Sequence, residues 1–131
     1  MKRRAVLATG LLLLTVAGWL GGCASTPDES DAMTATFDKP VAPVHDAAVH
    51  ALTARGFEIT RNEPLYIEGF RSRKIGLFVG SGGETVGVWL MGESAQRTGV
   101  RIDTAKSMVG YVGQKDWTEA ILSDMRHELG A

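Results

Sequence analysis

Between residues 57 and 104 apolar side chains recur at every second position, and this block is bracketed by two stretches in which they recur every third or fourth. Period two places apolar groups on one face of a strand, and the 3–4 spacing places them on one stripe of a helix. A sheet that is apolar on one face needs another layer to dry it, and here the two flanking helices are the available partners. The expected fold class is therefore α+β: a two-layer, antiparallel sheet of four to five strands, with an N-terminal and a C-terminal helix packed on one face.

The individual elements come from the same periodicities. Val41, Val44, Ala48, Ala51 and Leu52 form one stripe, with Pro40 and Pro43 in the first turn, where a missing amide hydrogen is tolerated. Gly56 and Phe57 close it, which predicts a helix over 41–55. Phe57 and Ile59 open a strand that Asn62-Glu63-Pro64 ends. Residues 65–71 make a second, with Tyr66, Glu68 and Phe70 on one face and Leu65, Ile67 and Gly69 on the other. Ile75, Leu77 and Val79 alternate, and so do Val86, Val88 and Leu90, which predicts a hairpin over 74–91 turning at Ser81-Gly82-Gly83-Glu84. A polar turn over 92–97 leads to a last strand carrying Val100, Ile102 and Thr104. Asp116 as N-cap with Glu119 three residues on predicts a final helix. Its stripe is Trp117, Ile121, Leu122, Met125 and Leu129, and Gly130 ends it.

The 131 residues suffice for one small domain, and the charge is divided unevenly. Residues 1–22 hold three basic residues (Lys2, Arg3, Arg4) and no acidic one, so the remaining 109 carry a formal charge of −4. That sign disfavours nucleic acid as a partner. A lone cysteine makes no internal disulfide, and three scattered histidines do not suggest a closed metal site.

Residues 1–22 have the three parts of a secretory signal: the basic start, an apolar run over 5–20, and the small pair Gly21-Gly22 before Cys23. The run is short for a permanent span, which takes ~20 mostly apolar residues. Residues 23–36 are small, polar and acidic, and are expected to form a flexible tether. Residues 37–131 are expected to form the single globular domain.

Most chemical motifs dissolve on inspection. Ser81-Gly82-Gly83 leads into a strand rather than a helix, so it is not a phosphate cradle. His45 and His50, five apart on a helix, point about 140° from each other, unsuited to a shared metal. His127-Glu128 has no second histidine after it. No serine sits in a strained G-x-S-x-G elbow. No catalytic residue, metal site or cofactor is expected. The stretch 106–117, with Gly110 and Gly113 around Tyr111, reads as a loop that docks Trp117 into the core. The candidate binding residues are Trp89 and Met91, which alternate against the core set, and the basic cluster Arg71, Arg73 and Lys74.

Leu20-Gly21-Gly22-Cys23 resembles the lipobox of bacterial lipoproteins. Taken with Ala54-Arg55-Gly56-Phe57 and the approach Gly110-Tyr111-Val112-Gly113-Gln114-Lys115-Asp116-Trp117 to the last helix, the chain is similar to a group of small bacterial outer-membrane lipoproteins. The resemblance implies cleavage before Cys23, diacylglycerol on its sulfur and an acylated amine. Ala24, in place of an aspartate, implies the outer membrane rather than the inner one, with the domain facing the periplasm. It implies no activity. The expected role is a non-enzymatic binding or scaffold module. Its partners would be the membrane, through the anchor, and an envelope protein; the alternative is a small-ligand or lipid-binding module.

Overall fold

The computed structural model describes residues 26–75, 78–106 and 115–131, with only the backbone path for 73–75, 78–82 and 106. Five strands form one antiparallel sheet: β1 (Met33–Phe37), β2 (Glu58–Glu63), β3 (Tyr66–Ile75), β4 (Phe78–Ser94) and β5 (Arg97–Lys106). Their spatial order is β1-β5-β4-β3-β2. Strands β2 to β5 are a meander, and β1 adds to the far edge by pairing Met33 with Ile102 and Phe37 with Thr98. Helix α1 (Val41–Ala54) comes after β1, and α2 (Thr118–Leu129) ends the chain. Both helices lie on one face, so the expected α+β layering is the observed one.

The core is the meeting of the predicted stripes. Val44, Ala48, Ala51 and Leu52 of α1 and Ile121, Leu122 and Met125 of α2 are buried. They pack on Ile67, Val86, Val88, Val100 and Ile102 of the sheet. At ~25 cal/mol per Å² of apolar surface removed from water, this single cluster supplies most of the drive to fold. Helix α1 ends as its sequence predicts: Gly56 takes φ 83°, its amide reaches Thr53 O and the Phe57 amide reaches Leu52 O, both at 3.0 Å. Arg55 ties the two helices together, donating to the Asp124 carboxylate through Nε at 2.7 Å and Nη2 at 2.9 Å.

Three expectations are corrected. First, Met33–Phe37 is a sheet strand, so the tether expected over 23–36 gives up residues 33–36 to the domain expected over 37–131. Ala35 and Phe37 turn inward onto the core, and two apolar residues are too few for a visible period. Second, the hairpin turns between Ile75 and Phe78, which are cross-strand partners, while Ser81-Gly82-Gly83-Glu84 runs inside the 17-residue β4. The carboxylate of Glu84 explains its place there. It is buried on the helix side and accepts the Lys115 amide at 3.0 Å, just before α2. Third, the helix proper starts at Thr118 after Trp117, one residue later than expected. Asp116 still serves the helix start, its Oδ1 accepting the Thr118 amide at 3.0 Å. The loop predicted around Gly110, Tyr111 and Gly113 lies outside the described residues.

Trp117 does enter the core. Its ring meets Phe57 edge-on, with centroids 5.6 Å apart and planes at 87°. Its amide donates to Thr104 Oγ1 at 3.1 Å, which fixes α2 to β5.

Candidate functional site

Strand alternation that buries one face exposes the other, and the exposed face carries the candidate site. The register sets Thr34, Arg101, Trp89, Tyr66 and Glu63 in one row across all five strands. Trp89 and Tyr66 stack at 5.1 Å between centroids, inclined by 39°. The Arg61 guanidinium lies 4.6 Å above the centre of the Tyr66 ring. The phenol donates to Glu68 Oε2 at 2.7 Å, while Thr60 Oγ1 donates to Glu68 Oε1 at 2.9 Å. Burial of the ring, helped by the Glu68 carboxylate, pushes the Tyr66 pKa well above its ordinary value, so the hydroxyl stays protonated and remains a donor.

Beside this row is a groove of about 750 Å³. Trp89, Tyr66 and Met91 line it together with Thr36, Gly99, Pro64 and Leu65. Its charged rim is internally paired. Glu29 accepts from Arg101 at 3.0 Å, Glu63 from Arg61 at 2.8 Å and Glu93 from Arg97 at 3.0 Å. The site thus offers an aromatic and thioether floor inside a rim whose charges cancel in pairs.

Among the described residues no helix covers this face. A short N-terminal strap crosses it instead. The Asp28 amide donates to Asp103 Oδ2 at 2.8 Å, and Pro27 sits over Gly87 against Trp89. Gly87 is required there, because a Cβ would come within 2.7 Å of Pro27 and 2.9 Å of Trp89. The Asp28 carboxylate accepts the Ser30 amide at 2.8 Å and its hydroxyl at 2.7 Å, which bends the strap towards β1. Those two bonds hold the Asp28 carboxyl below its usual pKa.

Of the five candidate binding residues, Trp89 and Met91 lie on this face and share the groove. Arg71 does not join them. It lies on the helix side of β3, opposite Glu84 in register, with its guanidinium 4.9 Å above the Trp117 ring. Arg71 shares the parity of Ile67 and Gly69, so the pleat turns it inward. Arg73 and Lys74 lie near the far end of β3, where Lys74 pairs with Val79, whereas Trp89 faces Tyr66 at the near end. The basic cluster and the aromatic face are therefore separate features. Tyr66, Arg101 and the strap residues Pro27, Asp28 and Glu29 belong to the site although no motif marks them in the sequence. Tyr66 alone had a legible signal, since it alternates with the inward Ile67.

Cys23, the expected lipidation residue, lies outside the described residues. Among the described residues no three His, Cys, Asp or Glu side chains are grouped to hold a metal ion, and no helix is long and apolar enough to cross a membrane. Compared with known proteins, the chain matches no protein-family model and no curated sequence.

Proposed function

We propose that the protein is a bacterial envelope lipoprotein, held at the outer membrane through Cys23 and facing the periplasm. Its α+β domain is a non-enzymatic binding module that takes an envelope component on the open face of the sheet. The carrying observation is the asymmetry of that sheet: two helices cover one face, while the other bears the half-buried Trp89 and Tyr66 and the exposed Met91 along a 750 Å³ groove. Large aromatic and thioether side chains left at a surface are characteristic of contact sites. In this reading the Cys23 sulfur carries a diacylglyceryl group and its amine an acyl chain. Each buried methylene contributes ~0.8 kcal/mol, so two or three chains anchor the domain durably.

A second reading, that the envelope component is a lipid or small ligand, is favoured by the groove itself. Its volume falls within the ~300–1,000 Å³ typical of small-molecule sites. The other place for a ligand would be the interface between sheet and helices. At Gly69 that interface is closed, and a Cβ there would stand 3.0 Å from Phe57 Cβ.

The test is photo-crosslinking in cells, with the full-length chain carrying a photoreactive residue at position 91 or, for comparison, at Ser123 on the exposed side of α2. Adducts from position 91 alone, weakened by Trp89→Ala, are the expected result. Equal capture from both positions moves the binding site off the sheet. Mass spectrometry of the adduct separates a protein partner from a lipid.

A further inference from the structure

We propose that the open sheet face docks on the surface of the same bilayer that holds the Cys23 anchor, with the helical layer turned away from it. The inference rests on the lipoprotein reading above and names the partner of that site as the lipid headgroup layer.

The strap supplies the geometry. The chain reaches the domain through Pro27, which lies over the middle of the open face rather than at an edge or among the helices. Its position is pinned twice more, by Asp28 on Asp103 and by Glu29 on Arg101. Cys23 precedes Pro27 by four residues, which span at most about 14 Å fully extended. An anchor on so short a lead, leaving from the centre of one face, holds that face towards the membrane. For the helices to face the bilayer, the lead would have to pass around the sheet edge, farther than it reaches.

The distribution of apolar surface agrees independently. Of the four large exposed apolar side chains among the described residues, Leu65 and Met91, 53% and 51% exposed, and Phe70 stand on or beside the open face, Met33 has the inward parity of Ala35 and Phe37 at the β1 edge, and none is on a helix. Phe70 lies on one side of the strap, and Trp89 and Met91 on the other. Trp and Tyr rings, apolar with a polar tip, suit the boundary between headgroups and acyl chains. Three of the carboxylates, Glu29, Glu63 and Glu93, each have an arginine partner, whereas Asp28, Glu68 and Asp103 are held by uncharged donors.

The experiment uses the full-length chain, expressed with its own signal and reconstituted in vesicles of phosphatidylethanolamine and phosphatidylglycerol with a headgroup-linked quencher. Cys23 is the sole native cysteine and its sulfur is blocked by lipid, so Met91→Cys and Ser123→Cys each give one labelling site for a fluorophore. Quenching at position 91 should exceed that at 123 by about threefold or more, the contrast expected when one probe sits in a headgroup region ~5–10 Å deep and the other behind a protein layer. Adding Leu65→Glu at its exposed site should reduce the contrast, with circular dichroism confirming the fold. Equal quenching at the two positions, or stronger quenching at 123, overturns the proposal. Radiolabelled palmitate, absent from a Cys23→Ser chain, separates the two levels. No incorporation overturns the lipoprotein reading and the docking together, whereas incorporation with equal quenching overturns the docking alone. Crosslinks from position 91 to a protein rather than to phospholipid also overturn it.

Discussion

Trp117 and Trp89 are the same side chain placed on opposite sides of one sheet. Trp117 is buried: Phe57 meets its edge, and Arg71 and Lys115 place their cations 4.9 and 4.5 Å from the ring centre. Trp89 has Tyr66 beside it, crowds the space over Gly87 together with Pro27, and lines the groove. Strand parity assigns the two faces, and the segments that pack on each of them decide how far it is closed. Helices of 14 and 12 residues close one side, and a few strap residues partly cover the other. The closed side is therefore the seat of stability and the open side is available for contact.

The sharpest way to break that comparison is to truncate both tryptophans. Trp117→Ala should cost ~3–5 kcal/mol in urea unfolding, as other buried aromatic truncations do. Trp89→Ala, which removes a half-buried ring stacked on Tyr66, should cost less, about 1–2 kcal/mol. Equal losses would mean that the two faces are not divided as described. Next in size, a side chain can be forced into each face. Gly69→Val should destabilise globally by ~1–3 kcal/mol through overpacking against Phe57 and Leu52. Gly87→Leu should instead expel Pro27, and hydrogen exchange should show faster exchange at the Asp28 amide with global stability nearly unchanged.

Acid sharpens the same contrast. Asp124, bonded to Arg55 between the helices, and Asp28, bonded to Ser30 in the strap, both have carboxyl pKa values lowered from 3.8. A depressed folded-state value gives stabilisation that is present above 3.8 and is lost as pH falls through the lowered value. Asp124→Asn should therefore reduce global stability above pH 3.8 and flatten its acid dependence. Ser30→Ala should raise the Asp28 pKa, read by carboxyl NMR, without moving the global transition.

The smallest effect expected is at His50, whose pKa is raised above 6.5 by its hydrogen bond to Glu128 at 2.7 Å. That contribution is complete below 6.5 and is lost as pH rises through the raised value. Glu128→Gln should return the imidazole titration towards 6.5, tracked by NMR.

What the sequence made legible was whatever depends on local period. The stripe of α1, its Gly56 stop, and the opposite faces of Val88 and Trp89 all come from spacing alone. Features set by distant partners were not legible. Strand β1 exists because its backbone pairs with β5, more than sixty residues on, and only Ala35 and Phe37 mark an inward face. Ser81-Gly82-Gly83 has turn chemistry, yet the ladder between β3 and β4 carries it as strand, from Ser72 against Gly83 to Ile75 against Phe78. Arg71 looked like part of a basic cluster because it adjoins Arg73 and Lys74 in sequence, although its parity with Ile67 turns it to Trp117. The strap was least visible, since proline and aspartate in a polar run show nothing of the sheet they will meet.

The pairing of β1 with β5 also sets an order of assembly. A chain synthesised N-terminus first presents β1 early, but its partner is the last strand, so the sheet cannot be completed until about residue 106 has been made. Such non-local closure slows folding. Strands β2 to β5 can zip sequentially through their hairpins, while Met33–Phe37 waits for β5. Its docking and that of the strap are then late and coupled steps, and the open face takes its final form only when the rest of the domain is already in place.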